Sequence, residues 1–165
     1  MKKLIAILTL ALMLFGMTGC DLFEAQEKTF KKGDHFKITL TEDFEKIKEG
    51  KYEEYEGFYT SYESTYVHVL VRRELYEDFE DGTTLDEYIE LVLEANDMPG
   101  KAVKKGEGYK FITYNNVEDG ENIFYKVCFY EGYDGFFAVS FVVNLDNLDK
   151  FGTSIEKWAE SVDVD

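Results

Sequence analysis

The chain has 165 residues and a formal net charge of −16 at pH 7, from 34 acidic and 18 basic side chains. This charge repels the phosphates of nucleic acids, so a nucleic-acid partner is excluded and a cationic partner, or simple solubility, is favoured. Apolar residues make up 45% and aromatic residues 16% of the chain, which excludes a disordered protein, and the length suits one domain.

The N-terminus has the order of zones found in a secretory signal. Lys2 and Lys3 come first, and an apolar or near-apolar run over residues 4–15 follows. A membrane-spanning helix needs roughly 20 apolar residues, and acidic Asp21 comes too soon for that. The pattern therefore predicts an export signal in preference to a permanent transmembrane anchor.

The end of this signal has small residues before a cysteine. Thr18, Gly19 and Cys20 resemble the bacterial lipobox, whose cysteine receives a diacylglyceryl group and becomes the first residue of the mature chain. Met17 departs from that pattern, because leucine is usual there. The resemblance implies cleavage between Gly19 and Cys20 and lipidation of Cys20. The alternative is an ordinary secretory signal in which Cys20 is an incidental residue.

These features divide the chain into three parts. We expect a lipoprotein signal peptide over residues 1–19, a lipidated N-terminus with a short tether over residues 20–32, and a single globular α+β domain over residues 33–165. As a coil, the tether would reach roughly 20 Å, which keeps the domain close to the outer face of the cell membrane. Cys128 has no partner once Cys20 is lipidated, so no disulfide is expected.

The first half of the domain is predicted to be mainly β-structure. Residues 35–40 alternate apolar and polar side chains, as a half-buried strand does. Residues 41–49 carry two apolar side chains at helical spacing and end before a glycine, which predicts a short helix. Residues 57–62 and 65–73 are rich in β-formers, and the second segment has its valines on one face.

The clearest predicted helix spans residues 84–96. Thr84 and Glu87 fit a capping box, in which the threonine hydroxyl accepts from the glutamate amide and the glutamate carboxylate accepts from the threonine amide. An apolar stripe follows, made of Leu85, Tyr88, Ile89 and Val92. Residues 96–100 end the helix.

Three strands and a second helix complete the domain. Residues 109–114, 122–130 and 136–144 are predicted strands, and the Asp-Gly pairs between them favour tight turns, so an antiparallel meander is expected. Residues 146–161 carry an apolar stripe at steps of three and four residues, which predicts a helix. Both faces of the meander are apolar and each needs a covering layer. The sequence therefore predicts an α+β fold in which an antiparallel β-sheet is sandwiched between helices.

Short segments spread over this domain resemble one family. They are, in chain order, residues 36–41, 62–64, 73–74, 85–88 and 157–162. In this order they are similar to small Gram-positive lipoproteins of the PsbP-like class. The resemblance implies an α/β/α sandwich around an antiparallel sheet. Because the class includes accessory subunits, it also implies a non-catalytic binding role by analogy.

Residues that could carry catalysis or bind a metal are few. His68 and Cys128 lie on predicted strands and could form a pair, but Cys128 is expected to be an inert buried residue. No His or Cys cluster has the spacing of a zinc site, and no cofactor is expected. Two acidic turns, at residues 80–82 and 118–121, could bind calcium weakly through oxygen ligands.

A series of tyrosines with acidic neighbours is the most unusual local feature. It suggests a binding surface formed by Tyr59, Tyr62, Glu63, Tyr66 and Arg73. The alternative is routine: the tyrosines would lie at the boundary of a sheet, and the charged residues would form ion pairs between strands.

Together these features favour a membrane-anchored, extracytoplasmic lipoprotein that acts as a non-enzymatic accessory or binding module. Its expected partners are the membrane, through the lipid anchor, and a protein or cationic partner. The alternative is a cell-envelope hydrolase that uses carboxylates, because 34 acidic side chains leave room for a catalytic pair.

Overall fold

A computed structural model of the protein describes residues 26–52 and 57–165. The predicted signal peptide and Cys20 lie outside the described residues. The strands are β1 (Glu27–Lys31), β2 (Lys37–Thr41), β3 (Glu45–Lys46), β4 (Thr60–Glu63), β5 (Val67–Leu75), β6 (Lys104–Lys105), β7 (Lys110–Glu118), β8 (Glu121–Glu131) and β9 (Gly135–Asn144). The helices are α1 (Leu85–Ala95) and α2 (Leu148–Glu160).

Seven of these strands form one antiparallel sheet in the order β3-β4-β5-β9-β8-β7-β6. At the turn between β7 and β8, Asp119 has φ 51° and Gly120 has φ 86°, as a two-residue hairpin turn requires. At the next turn Gly135 lies against β5, where a Cβ atom would come within 2.2 Å of the carbonyl oxygen of Glu74. The predicted meander of β7, β8 and β9 is confirmed.

Part of the segment that was predicted to be a tether forms a strand. β1 and β2 form an antiparallel hairpin in which Phe30 lies opposite Ile38. Phe30 is the one buried residue of β1, and its ring packs 4.8 Å from that of Tyr62. A single apolar side chain in a charged segment gives little signal of a strand. The folded part of the chain nevertheless includes residues 27–32, which were predicted to be tether.

The short helix predicted over residues 41–49 is wrong. β2 continues to Thr41, and β3 pairs with β4. Phe44 and Ile47 are both buried by this turn and strand, so the spacing of three that suggested a helix comes from non-helical backbone. A nine-residue helix has little stability of its own, and pairing with the sheet satisfies the backbone hydrogen bonds instead.

Both remaining helices are confirmed. Thr84 and Glu87 form the predicted capping box at the start of α1: the carboxylate of Glu87 accepts from the Thr84 amide at 2.8 Å, and the Glu87 amide donates to the Thr84 hydroxyl at 3.4 Å. The hydrogen bond from the Thr84 backbone also lowers the pKa of Glu87. Within the described ranges, neither helix is long and apolar enough to cross a bilayer.

The helices lie on opposite faces of the sheet. We call the first the closed face: the alternate residues 67, 69 and 71 of β5 and their partners on β9 and β8 point to it, and α2 and the β1-β2 hairpin cover it. The other, open face carries residues 70 and 72 of β5 and their partners, and α1 packs on it. The predicted α+β fold, an antiparallel sheet sandwiched between helices, is confirmed.

Candidate binding groove

α1 covers only part of the open face. Its Tyr88 stacks on Phe136 with ring centroids 4.6 Å apart and lies edge-on to Phe129 at 6.2 Å. An α-helix of this length is roughly 16 Å long, whereas the strands beneath it, β8 and β9, extend roughly 34 Å or more. α1 is therefore about half as long as the strands on which it packs.

A groove lies along the uncovered side of α1. Its floor is a row of directly paired residues, one from each of four neighbouring strands: Leu70, Ser140, Val127 and Ile112. Across these four strands the floor is roughly 14 Å long. The helix side of the groove is lined by Leu91, Val92 and Ala95. The cavity has a volume of about 360 Å³, at the lower end of the range for small-molecule sites.

Aromatic side chains close the two ends of the groove. At the β7 end, the rings of Tyr114 and Tyr125 stack 4.8 Å apart and almost parallel, and the ammonium of Lys101 lies 6.0 Å from the Tyr114 ring. Burial raises the pKa of Tyr114, so its hydroxyl stays neutral. At the β5 end, the guanidinium of Arg72 lies 5.3 Å from the ring of Phe58. Arg72, the one cation among the described lining residues, therefore lies at the β5 end, and Lys101 lies outside the lining at the other end.

The groove carries few groups that could do acid-base chemistry. Glu74 is the one carboxylate among its described lining residues, and it accepts a 2.6 Å hydrogen bond from the hydroxyl of Tyr88. Burial and the neighbouring carboxylate raise the pKa of Tyr88 far above its ordinary value. Glycoside hydrolysis needs two carboxylates across the bond to be cleaved. The described lining of the groove does not supply that pair.

The five residues predicted to form a binding surface do not share one surface. Tyr59 and Arg73 come together, with the guanidinium 5.2 Å from the ring centroid. Tyr62, by contrast, is only 1% exposed and belongs to the core of the closed face. Tyr66 packs near α2, and Glu63 forms its contacts in a different part of the structure. These residues cluster in sequence, but the alternating strand geometry separates them in space.

Glu63 and Arg73, the charged residues of that predicted surface, form ion pairs with residues in loops. Glu63 binds Lys51 and accepts from the Tyr52 hydroxyl at 2.9 Å. Burial opposes ionisation of Glu63, but these hydrogen bonds outweigh it and lower its pKa. Arg73 pairs with Asp134. The routine alternative, in which the charged residues form ion pairs, describes these contacts, although the partners lie in loops and turns and not on neighbouring strands.

His68 and Cys128 do not form a pair. His68 lies on β5 and Cys128 on β8, with β9 between them, and the two side chains point to opposite faces of the sheet. Cys128 is completely buried, and this burial raises its pKa to about 12. A thiol in that state is not a nucleophile at neutral pH.

The two acidic turns stay a prediction. Residues 80–82 connect β5 to α1, and residues 118–121 form the tip of the β7-β8 hairpin. In the described part of the chain, no three His, Cys, Asp or Glu side chains converge as metal ligands.

A larger depression lies beside β3 and β4. It has a volume of about 990 Å³ and is lined by residues 46–50 and 57–61 together with Lys32 and Tyr52, so that three lysines contribute to it. Lysine ammonium groups are strongly hydrated. This depression therefore offers less apolar surface to a ligand than the groove on the open face.

The groove was missed by sequence reasoning, although one signal for it exists. The alternating pattern identified apolar residues on both faces of the meander, and it predicted one helix on each. That prediction took no account of how much shorter α1 is than the strands. An eleven-residue helix is about half as long as a strand of ten or eleven residues.

Comparisons with known proteins bear on the fold alone. No protein-family model matches the sequence, and no curated protein matches it. A crystal structure from Bacteroides thetaiotaomicron is similar, with a TM-score of 0.61 and 15% identity over 85% of this chain. The chain spans 49% of the length of that protein.

Two further solved structures are similar over most of both chains. The solution structure of cyanobacterial PsbP (CyanoP) from Synechocystis has a TM-score of 0.51 and 10% identity, and the match covers 88% of this chain and 96% of that one. The crystal structure of LpqN, described as involved in cell envelope biogenesis of Mycobacterium tuberculosis, has a TM-score of 0.50 and 11% identity over 84% of this chain and 90% of that one. The fold is therefore PsbP-like, as the resemblance implied.

Proposed function

We propose that the protein is a lipid-anchored, extracytoplasmic binding module and that the groove on the open face is its binding site. The observation that carries the proposal is the cavity of about 360 Å³ between α1 and the sheet, whose lining is mostly apolar and aromatic. An apolar cavity with a few polar groups in its lining is the usual form of a small-molecule site. The groove also has one carboxylate and no adjacent histidine or thiol in its described lining, which supports a binding role over a hydrolytic one.

The proposed anchor is a diacylglyceryl group on Cys20, after removal of residues 1–19. Because β1 begins at Glu27, the proposed tether shortens to residues 20–26, with one domain following it. Seven residues reach roughly 15 Å as a coil. Two acyl chains hold a protein stably at a membrane, whereas one does not. The domain would thus work within a short distance of the bilayer surface, and the cell-envelope role stated for LpqN is compatible with that location.

Fractionation of cells that express the full chain tests the anchor. Wild-type protein should be found in the membrane fraction and should incorporate labelled fatty acid, whereas Cys20→Ala should do neither. Cys128→Ala is the matched control, because it removes the other cysteine from the closed core and should leave membrane attachment unchanged. Retention of Cys20→Ala in the membrane, with no label, would contradict the lipid anchor.

Binding is tested on the native protein released from membranes with mild detergent. Ser140→Leu fills the floor of the groove with a larger apolar side chain and leaves the core of the closed face intact. Molecules that copurify with wild type, and not with Ser140→Leu, would be identified by mass spectrometry. If wild type and Ser140→Leu retain the same molecules, the groove is not the binding site.

A further inference from the structure

Arg72 is the basic residue that lines the groove. It is exposed at the β5 end of the groove, and within residues 26–52 and 57–165 it forms no ion pair. Its neighbour Arg73 points to the opposite face and pairs with Asp134. Among the described residues several lysines also lack an ion pair, but Arg72 is the basic residue that lines the groove.

The position of Arg72 is fixed by stacking. Its guanidinium lies over the ring of Phe58, an arrangement that holds the cation in place and leaves its edge available to accept a bidentate anion. It is also the only Lys or Arg among the described lining residues of the groove. The groove therefore combines an apolar floor with one positioned cation at one end.

We infer that the groove binds an amphiphile with a linear apolar chain and one carboxylate, the class of a medium-chain fatty acid. The chain lies along the floor formed by Leu70, Val127 and Ile112, and the carboxylate binds the guanidinium of Arg72. This inference rests on the proposed function, because a tether of about seven residues holds the groove near a membrane, where such amphiphiles are concentrated.

The dimensions of the groove favour this occupant over a helix of a partner protein. One turn of a helix with its side chains is about 10 Å wide and 5.4 Å long, so it occupies roughly 420 Å³. This volume is larger than the cavity of about 360 Å³. The floor is roughly 14 Å long. Each C–C bond is about 1.5 Å long, but an extended alkyl chain advances by less than this per bond because it zigzags. A chain that spans the floor would therefore have about ten to twelve carbon atoms. The stacked pair of Tyr114 and Tyr125 ends the groove on the far side.

Charge fixes the orientation and the sign of the head group. None of the described lining residues at the tyrosine end is charged, whereas the β5 end has Arg72. The other charged lining group, Glu74, already accepts a hydrogen bond from Tyr88 and lies on the same strand two residues further on. A cationic head group at the β5 end would meet the guanidinium of Arg72, and a neutral head group would leave it unpaired. A carboxylate satisfies it with two parallel hydrogen bonds.

Calorimetric titration of the full chain carrying Cys20→Ala tests the inference. The probes are dodecanoate and dodecanol, which share the alkyl chain and differ in the head group. Dodecanoate should bind with one site per chain and about fivefold more tightly than dodecanol, the upper range for an exposed ion pair. Arg72→Gln should remove this preference. Lys157→Gln, which removes an equal charge from the exposed side of α2, should leave it unchanged.

The outcomes separate the ligand class from the proposed function. Equal affinity for the two probes, or a preference that survives in Arg72→Gln, would overturn the carboxylate assignment. Binding of either probe that persists in Ser140→Leu would overturn the assignment to the groove. If neither probe binds while wild-type protein from membranes retains a peptide that Ser140→Leu lacks, the fatty-acid inference is wrong and the proposed binding function stands.

Discussion

The closed and open faces belong to the same sheet, but they are covered in different ways. On the closed face, α2 is attached at several points: the hydroxyl of Tyr130 donates to the carbonyl of Ala159 at 2.7 Å, and Lys126 pairs with Glu156. The segment after α2 also pairs with β2. On the open face the covering helix is α1, which has eleven residues. We therefore expect stability to be concentrated on the closed face, which leaves the open face available for a ligand.

The largest expected effect is on the closed face. Trp158 packs edge-on to Phe44, with ring centroids 5.0 Å apart, and lies against Phe141. Trp158→Ala should lower the free energy of unfolding by about 3–5 kcal/mol, because a large cavity forms in a closed core. Urea denaturation of the Cys20→Ala chain measures this.

Leu91→Ala is the matched variant on the open face. Leu91 lies on α1 and is 48% exposed, so its loss should change the free energy of unfolding by less than about 1 kcal/mol. If Leu91→Ala costs as much as Trp158→Ala, the open face contributes to stability as a closed core does, and the contrast between the faces fails.

The second effect concerns the ion pair between Lys126 and Glu156. Lys126 is 1% exposed, its ammonium lies 4.3 Å from the ring of Phe111, and Glu156 is 53% exposed. Glu156→Ala leaves a buried ammonium without its counter-charge and should cost about 2 kcal/mol, below the range for a fully buried pair because Glu156 is half in water. Lys126→Met leaves Glu156 hydrated and should cost less than about 1 kcal/mol. The reverse order in urea denaturation would show that the pair does not secure α2.

Local signals in the sequence predicted much of the closed architecture. The capping box of Thr84 and Glu87 and the positive-φ turn at Asp119 and Gly120 depend on residues next to each other in the chain. Such interactions can be predicted from the sequence because the interacting residues are close together in it. Periodicity likewise predicted α2, because its stripe spans several turns.

The parts that were missed depend on contacts between distant segments. Arg72 and Arg73 are identical in type and adjacent, yet one lines the groove and the other pairs with Asp134, because strand alternation and the position of a distant turn decide their surroundings. Phe30 is the one buried side chain of β1, so the sequence of this strand resembles that of a linker. The extent of the groove depends on where α1 lies on the sheet, which local propensity does not determine.

A smaller effect is expected from the N-cap of α1, the helix that forms one wall of the groove. Thr84→Ala removes the hydroxyl that caps Glu87 and should cost about 1 kcal/mol of unfolding free energy. Hydrogen exchange of α1 amides should rise more than that of α2 amides, since the change lies in α1. Thr153→Ala, at an exposed position of α2, is the control and should leave α1 exchange unchanged. Equal acceleration of both helices would mean that they unfold together and that the open face is not the weaker one.

The smallest effect is expected from the ion pair that joins β2 to the segment after α2. The ammonium of Lys37 donates to the Asp163 carboxylate at 2.7 Å, and this hydrogen bond lowers the pKa of Asp163 and raises that of Lys37. A depressed carboxylate pKa stabilises the fold above its unfolded value near 3.8, and that contribution is lost as the pH falls through the folded pKa. A raised lysine pKa contributes below 10.5 and is lost as the pH rises through the folded pKa.

Asp163→Asn should therefore lower the urea midpoint between about pH 5 and pH 9, and the difference from wild type should shrink at both extremes. Because both side chains are well exposed, the difference should be the smallest of the series and should fall further in high salt. Asp149→Asn, at an exposed position in the first turn of α2, controls for the change in net charge. A difference between Asp163→Asn and wild type that does not vary with pH would mean that this contact on the closed face acts through packing and not through charge. The closed face would then be stabilised by its apolar core and the Lys126–Glu156 pair, and not by the charges of Lys37 and Asp163.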